Sequence, residues 1–267
     1  GGRWAMKVES KEGEATQPFS QLQYEDRVYK ALQGKPCIPV VHAFQQDSEY
    51  RYLVMDILGD DLQTVLENSP NKALPLKYVI SIGLHMLSRL QDIHEAGFVH
   101  RDVKPQNFLL ATKHGGSDIW AIDFGLAKAF RGAQGEHLPY RSNKKGLTGT
   151  PRFASTFTQC GEESSRRDDL ESMMFVLAFL HRGALPWQKV PRGSDREARN
   201  REILKRKREC PITTLYYGMG QLHDAAAYVR ELDFDETPDY ERIRAVLRAS
   251  YRALGNFKST QKKELDR

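Results

Sequence analysis

The stretch VHRDVKPQNFLL at 99–110 places His100, Arg101, Asp102, Lys104 and Asn107 within eight positions, punctuated by Pro105 and followed at once by an apolar run. A solvated loop can carry such residues, but it does not return directly to Phe108-Leu109-Leu110, which has the character of a buried strand. The polar cluster therefore reads as a site held between apolar walls. Upstream, residues 76–96 carry Val79, Ile82, Leu84, Met86, Leu87, Leu90 and Ile93, the pattern of a long apolar-faced helix ended by Gly97. Downstream, Ile119-Trp120-Ala121-Ile122 reads as a short strand delivering Asp123 at its end.

Further out, Trp4 to Glu9 alternates as a half-buried strand does, and Pro18 opens a helical pattern through Leu22, Val28 and Leu32, closed by Gly34 and Pro36. Strands are expected near 38–45 and 50–57, with a break at Gly59. Residues 1–58 thus form a mainly β unit with one helix. Residues 59–255 form a mainly helical unit, and 256–267 a polar tail. Residues 131–165 read as a long loop, and long loops inside compact domains are usually functional. DDLESMMFVLAFLHR at 168–182 is too apolar for a surface helix and is expected as the buried axis of the second unit. Helices near 196–208, 219–232 and 239–253 complete it.

Composition restricts the classes available. The chain has 267 residues, 40% hydrophobic and 28% charged, as in an ordinary globular protein. No apolar run approaches the roughly 18 residues that span a bilayer. Cys37, Cys160 and Cys210 are odd in number and widely spaced, which fits free thiols in a reducing compartment and gives no zinc pattern. The net charge of +5 suggests an anionic partner, though solvated surface lysines are the more common explanation.

Asp102, Asn107 and Asp123 form an oxygen-rich set suited to magnesium, a hard cation. Lys7, on the early strand, needs a charged partner to be fixed in a cleft, and Glu25 on the following helix can supply one. Taken singly, Asp102 reads equally as a loop cap and Asp123 as the start of a turn before Gly125. Taken together, HRDVKPQN at 100–107, DFG at 123–125, AMKVE at 5–9 and Glu25 resemble the motif set of eukaryotic protein kinases. LTGTPRFAS at 147–155, SRRDDLES at 165–172, LPWQ at 185–188 and TPDY at 237–240 resemble the casein kinase I family of Ser/Thr kinases, over residues 4 to about 254.

The resemblance implies an α+β bilobal kinase fold with a small β-rich lobe and a larger helical lobe. It also implies ATP and Mg2+ as cofactors. Lys7 is implied at the α- and β-phosphates with Glu25 steadying it. Asp123 and Asn107 are implied as metal ligands, Asp102 as the residue facing the substrate hydroxyl, Lys104 at the γ-phosphate, and Thr150 as hydrogen-bonded toward Asp102 and Lys104. Met55, Asp56, Ile57 and Leu58 are implied as the hinge that meets adenine. His100 and Arg101 read as loop organisers; Asp169 reads as a simple N-terminal helix charge or, by the resemblance, as a tie to the catalytic-loop backbone.

Protein substrates that are acidic or already phosphorylated are implied, with Lys144, Lys145, Arg166, Arg167, Arg206 and Lys207 as candidate anion contacts. Each reads alternatively as a surface charge, and KRKR at 205–208 also as a nuclear-localisation run. A monomer in cytoplasm or nucleus is expected, with no nucleic-acid partner.

Three departures from the family stand out. No Gly-rich loop is present, and truncation or disorder rather than true absence is expected. Pro151 and Ser155-Thr156-Phe157 alter the segment after Gly149. The Lys7–Glu25 connection is a few residues longer than in typical relatives. The other readings are a pseudokinase scaffold, which Lys7, Asp102 and Asp123 argue against, and a small-molecule kinase, which Arg101, Lys104-Pro105 and TGTPRFAS argue against.

Overall fold

The computed structural model describes residues 2–12, 20–111, 118–132, 134–140, 147–190 and 195–255. Its small strand-rich lobe holds β1 (Trp4–Ser10), α1 (Gln21–Leu32), β2 (Val41–Gln46) and β3 (Tyr50–Asp56). The larger lobe begins with α2 (Leu62–Asn68), α3 (Leu76–Glu95), β4 (Phe98–Val99), β5 (Phe108–Leu110), β6 (Ile119–Ala121) and β7 (Lys128–Ala129). It continues with α4 (Thr156–Gln159), α5 (Arg166–Arg182), α6 (Arg196–Glu209), α7 (Ile212–Leu215), α8 (Leu222–Glu231) and α9 (Tyr240–Ala253).

The strands of the small lobe form one antiparallel sheet in the order β1-β3-β2, with Lys7 opposite Leu53. The alternation of β1 is present but its faces are inverted relative to a simple apolar-in reading. Trp4, Met6 and Val8 are exposed, whereas Lys7 and Glu9 turn inward toward α1. The reason is ionic. Glu9 accepts hydrogen bonds from Ser20 Oγ (2.6 Å) and the Leu22 N–H (3.1 Å), and pairs with Arg51 (3.2 Å), so it holds the first turn of α1. That helix begins at Gln21, with Ser20 as its N-cap accepting from the Gln23 N–H at 2.9 Å. Pro18, expected to open it, lies outside the described residues.

In the large lobe α5 is buried along Arg166–Leu180, the axis its composition implied. Packed against it is α3, and Gly83 permits the approach: a Cβ there would meet Leu177 Cδ1 at 2.9 Å. α5 starts two residues earlier than its apolar pattern suggests. Ser165 caps it, and the Asp168 carboxylate accepts from the Ser165 N–H at 2.7 Å, closing a capping box. β4 pairs with β7 and β5 with β6, so the loops after β4 and β6, which carry Asp102 and Asp123, emerge side by side. No described helix is long and apolar enough to cross a membrane, and the three cysteines are free thiols.

Candidate active site

β1 and α1 bring the first pair together. Lys7 Nζ donates to both oxygens of Glu25, each at 2.8 Å, and to Asp123 Oδ1 at 2.8 Å. Glu25 is buried. Burial pushes its carboxyl up, against the pull of Lys7. Burial works against the Lys7 ammonium as well, but Glu25 and Asp123 beside it outweigh that and hold it above its ordinary value. Desolvation would raise Asp123 too, and Lys7 overrides it, keeping that carboxylate below the usual range and ionised.

Asp123 itself is left-handed (φ 67°), as is Arg101 (φ 66°), an uncommon state for residues other than glycine and one that clusters at functional sites. The fold over-determines both. The Asp123 N–H donates to the Tyr29 hydroxyl at 3.2 Å, and Tyr29 lies one turn beyond Glu25 on α1. The Arg101 guanidinium donates from Nε to the Leu126 carbonyl at 2.6 Å, and its N–H donates to Asp169 at 2.9 Å.

The second group centres on Asp102. Its Oδ1 accepts from the Thr150 N–H (3.1 Å) and hydroxyl (2.9 Å). Its Oδ2 is paired with Lys104 and accepts from Asn107 Nδ2 at 3.4 Å. Asn107 Nδ2 also donates to the Asp102 carbonyl at 2.9 Å, which leaves Oδ1 as the atom able to meet a metal. Gly149 is required here: its φ is +85° and a Cβ would sit 2.5 Å from the Arg101 carbonyl. His100 is structural. Its Nδ1 accepts from the Asp102 N–H (3.3 Å) and its Nε2 donates to the Ile122 carbonyl (3.0 Å), linking the Asp102 loop to the Asp123 loop. Asn107 adds a second link, its carbonyl accepting from the Ile122 N–H at 3.0 Å.

The Lys7–Glu25–Asp123 group and the Asp102–Lys104–Asn107–Thr150 group are therefore joined through His100, Asn107 and Ile122. Comparison with family models finds that a protein kinase domain matches residues 1–225. The chain belongs to the protein kinase family. The kinase fold and transferase chemistry follow. Kinases of this family generally use ATP and Mg2+ and act on protein substrates. The donor set fits a magnesium nucleotide, since Mg2+ is usually held by one or two carboxylate or amide oxygens together with substrate phosphates. A fully protein-ligated cage is not needed, and no cluster of three or more His, Cys, Asp or Glu able to hold a metal occurs among the described residues.

Among the hinge candidates Met55 is buried, and Ile57 and Leu58 run on from β3 toward Gly59, whose N–H donates to the Leu110 carbonyl at 3.0 Å. The Asp56 N–H donates to the Val40 carbonyl (3.1 Å), and its carboxylate accepts from the Val40 N–H (2.9 Å) and meets His42 (2.7 Å), so both groups are engaged within the small lobe.

The anion contacts need correction. Arg166 and Arg167 are buried, because the capping box draws them into the first turn of α5. Arg166 donates to the Asp235 carbonyl (2.6 Å) and Thr237 Oγ1 (3.1 Å) and lies over Phe130. Arg167 donates to the Leu232 carbonyl (3.0 Å) and lies over Phe157. They fasten the 232–237 connection to the α5 start and do not form an anion site. Lys207 is wholly buried. Arg206 is half-exposed and pairs with Glu202 at 2.7 Å. Lys144 and Lys145 lie outside the described residues.

Changing Arg166 and Arg167 together to Ala is expected to lower stability by about 2–4 kcal/mol, from lost charged hydrogen bonds and ring contacts. Urea unfolding measures this. Folded variant should use phosphorylated and unphosphorylated peptides in the wild-type ratio; a selective loss on phosphopeptides would restore these residues as anion contacts.

Proposed function

We propose that the protein is a Ser/Thr kinase of casein kinase I type that transfers the γ-phosphate of ATP to acidic or pre-phosphorylated proteins. In this reading the nucleotide lies between the unit 1–58 and the unit 59–255. The observation that carries it is the bridge from Lys7 to both Glu25 and Asp123, linked through His100 to the loop of an Asp102 whose two oxygens are held by Thr150 and by Lys104 with Asn107.

The parts divide as phosphoryl transfer requires, since the protein supplies positioning and charge neutralisation more than covalent chemistry. Lys7 would hold the α- and β-phosphates, and Asp123 with Asn107 would hold magnesium, which neutralises charge on the phosphates when bound. Asp102 would accept or orient the proton of the acceptor hydroxyl, its carboxylate fixed by Thr150. Lys104, tied to the same carboxylate, would steady the transferring group. A pseudokinase scaffold is not favoured, because the lysine and both aspartates are present and Lys7 is in contact with Asp123. The casein kinase I assignment rests on the LTGTPRFAS, SRRDDLES, LPWQ and TPDY segments. The substrate preference rests on that resemblance and the net charge of +5.

Radiolabelled ATP offered with casein, an acidic serine peptide and its phosphorylated counterpart tests the reading. Label on serine or threonine, with the phosphorylated or acidic peptides preferred, is expected. Label on tyrosine alone, or none above an Asp102→Asn control, would reject it.

A further inference from the structure

We propose that Lys207 is a positioning residue for the protein substrate, fixing from inside the large lobe the shape of the segment 150–155 along which the acceptor chain docks. The proposal rests on the reading of Asp102 as the residue facing the acceptor hydroxyl.

A surface run such as KRKR does not distinguish its members, but a helix does. On α6 Lys205 and Arg208 are exposed and Arg206 is half-exposed, while Lys207 has a relative exposure of 0%. Its ammonium donates to the Pro151 carbonyl at 2.7 Å and the Ala154 carbonyl at 2.6 Å. The rings of Phe175 and Trp187 flank it, with centroids at 5.3 and 5.5 Å. Trp187 takes the carbonyl between those two: its Nε1 donates to the Arg152 carbonyl at 2.8 Å. Two donors that never meet solvent thus hold three carbonyls of one four-residue stretch.

The two ends of the stretch are fastened separately. At one end the Thr150 N–H and hydroxyl hold Asp102, and the Thr150 carbonyl accepts from the Phe153 and Ala154 N–H groups, both at 2.9 Å. At the other, the Ser155 hydroxyl donates to Asp168 in the first turn of α5. An acceptor chain that places its hydroxyl at Asp102 must pass the residues adjoining Thr150. The shape of 150–155 therefore borders its path, and Lys207 sets that shape from behind.

A lysine here is otherwise hard to account for. Burying an ammonium is unfavourable unless it is paired or fully hydrogen-bonded. Burial pushes Lys207 down to about 7; the Glu171 carboxylate of α5 opposes this and Arg230 of α8 adds to it. A leucine or methionine would fill the same space between Phe175 and Trp187 but would leave the Pro151 and Ala154 carbonyls without donors.

Steady-state kinetics on Lys207→Met and on Trp187→Phe, each with dephosphorylated casein and with ATP as the varied substrate, test the proposal. Lys207→Met should raise KM for casein about tenfold, and Trp187→Phe, which removes one donor but keeps a ring, about threefold. KM for ATP should stay within about twofold in both. Unchanged KM for casein, or equal rises in both KM values, would overturn it. If Lys207→Met does not fold, Trp187→Phe decides alone on the same criteria. Failure of the wild-type protein to phosphorylate casein would instead count against the kinase reading on which the proposal rests.

Discussion

Asp123→Asn is expected to reduce phosphate transfer by at least about a thousandfold while shifting the thermal midpoint by no more than about 3 °C. The two halves of that expectation come from different features. The substitution is isosteric, and the Asp123 side chain is 37% exposed, so little packing is lost. Lys7 keeps Glu25, with both oxygens at 2.8 Å, and remains in place. The backbone anchor survives as well, because the Asp123 N–H, not the carboxylate, meets Tyr29. What disappears is the negative charge, and an amide is a poor substitute for a carboxylate beside magnesium and a triphosphate. Lys7→Met would be a less clean experiment: it would strip the buried Glu25 of its cation, and burial already pushes that carboxyl up. Initial rates with radiolabelled ATP, read beside a thermal melt, decide the matter. Wild-type turnover in a folded Asp123→Asn protein would remove Asp123 from the chemistry.

The part of this site that could be read in the sequence is the part written in short-range spacing. Asp102, Lys104 and Asn107 lie within one loop, and their mutual contacts follow from local backbone geometry. Asp123 sits at a strand end in the order that phosphate transfer needs. The apolar length of α5 gave its burial for a similar reason, since composition over four turns leaves little choice of location.

What could not be read depends on partners distant in the chain. Arg166 and Arg167 look like surface charges until the carbonyls of Asp235 and Leu232, over sixty residues away, are found beside them. Lys207 looks like one of four basic residues until Pro151 and Ala154 are placed against it. The inverted face of β1 has the same origin. Alternation announces a strand but does not say which face turns inward, and here an ionic link to α1 decides against the apolar one. Two signals could have been used. Ser165 three residues before Asp168 is a capping-box spacing, which puts Arg166 inside the helix. Tyr29 four residues after Glu25 shares its helix face, which directs it at the Asp123 loop.

Asp169→Asn should show how far the catalytic loop depends on a single buried carboxylate. Asp169 is 2% exposed, and it accepts from the His100 N–H (2.7 Å), the Arg101 N–H (2.9 Å) and His94 Nε2 (2.9 Å). His94 in turn accepts from the Tyr240 hydroxyl through Nδ1 at 2.8 Å, so α9, α3 and α5 meet behind the loop. An asparagine turns an NH2 group toward at least one of these donors, leaving a buried N–H without an acceptor. The expected loss is about 2–4 kcal/mol of stability. Activity of the folded fraction should also fall, because Arg101 (φ 66°) relies on that carboxylate to hold its conformation. Acid pH separates this from a generic packing defect. Burial alone would raise the Asp169 carboxyl, but His94 and the loop N–H donors hold it below its ordinary value. A depressed carboxyl contributes stability above the unfolded value of about 3.9, and that contribution is lost as pH falls through the lower folded value. The stability gap between wild type and Asp169→Asn should therefore be widest near neutrality and should narrow below about pH 4. Urea unfolding at a series of pH values measures it, and a gap that does not change with pH would mean that the charge on Asp169 is not what holds the loop.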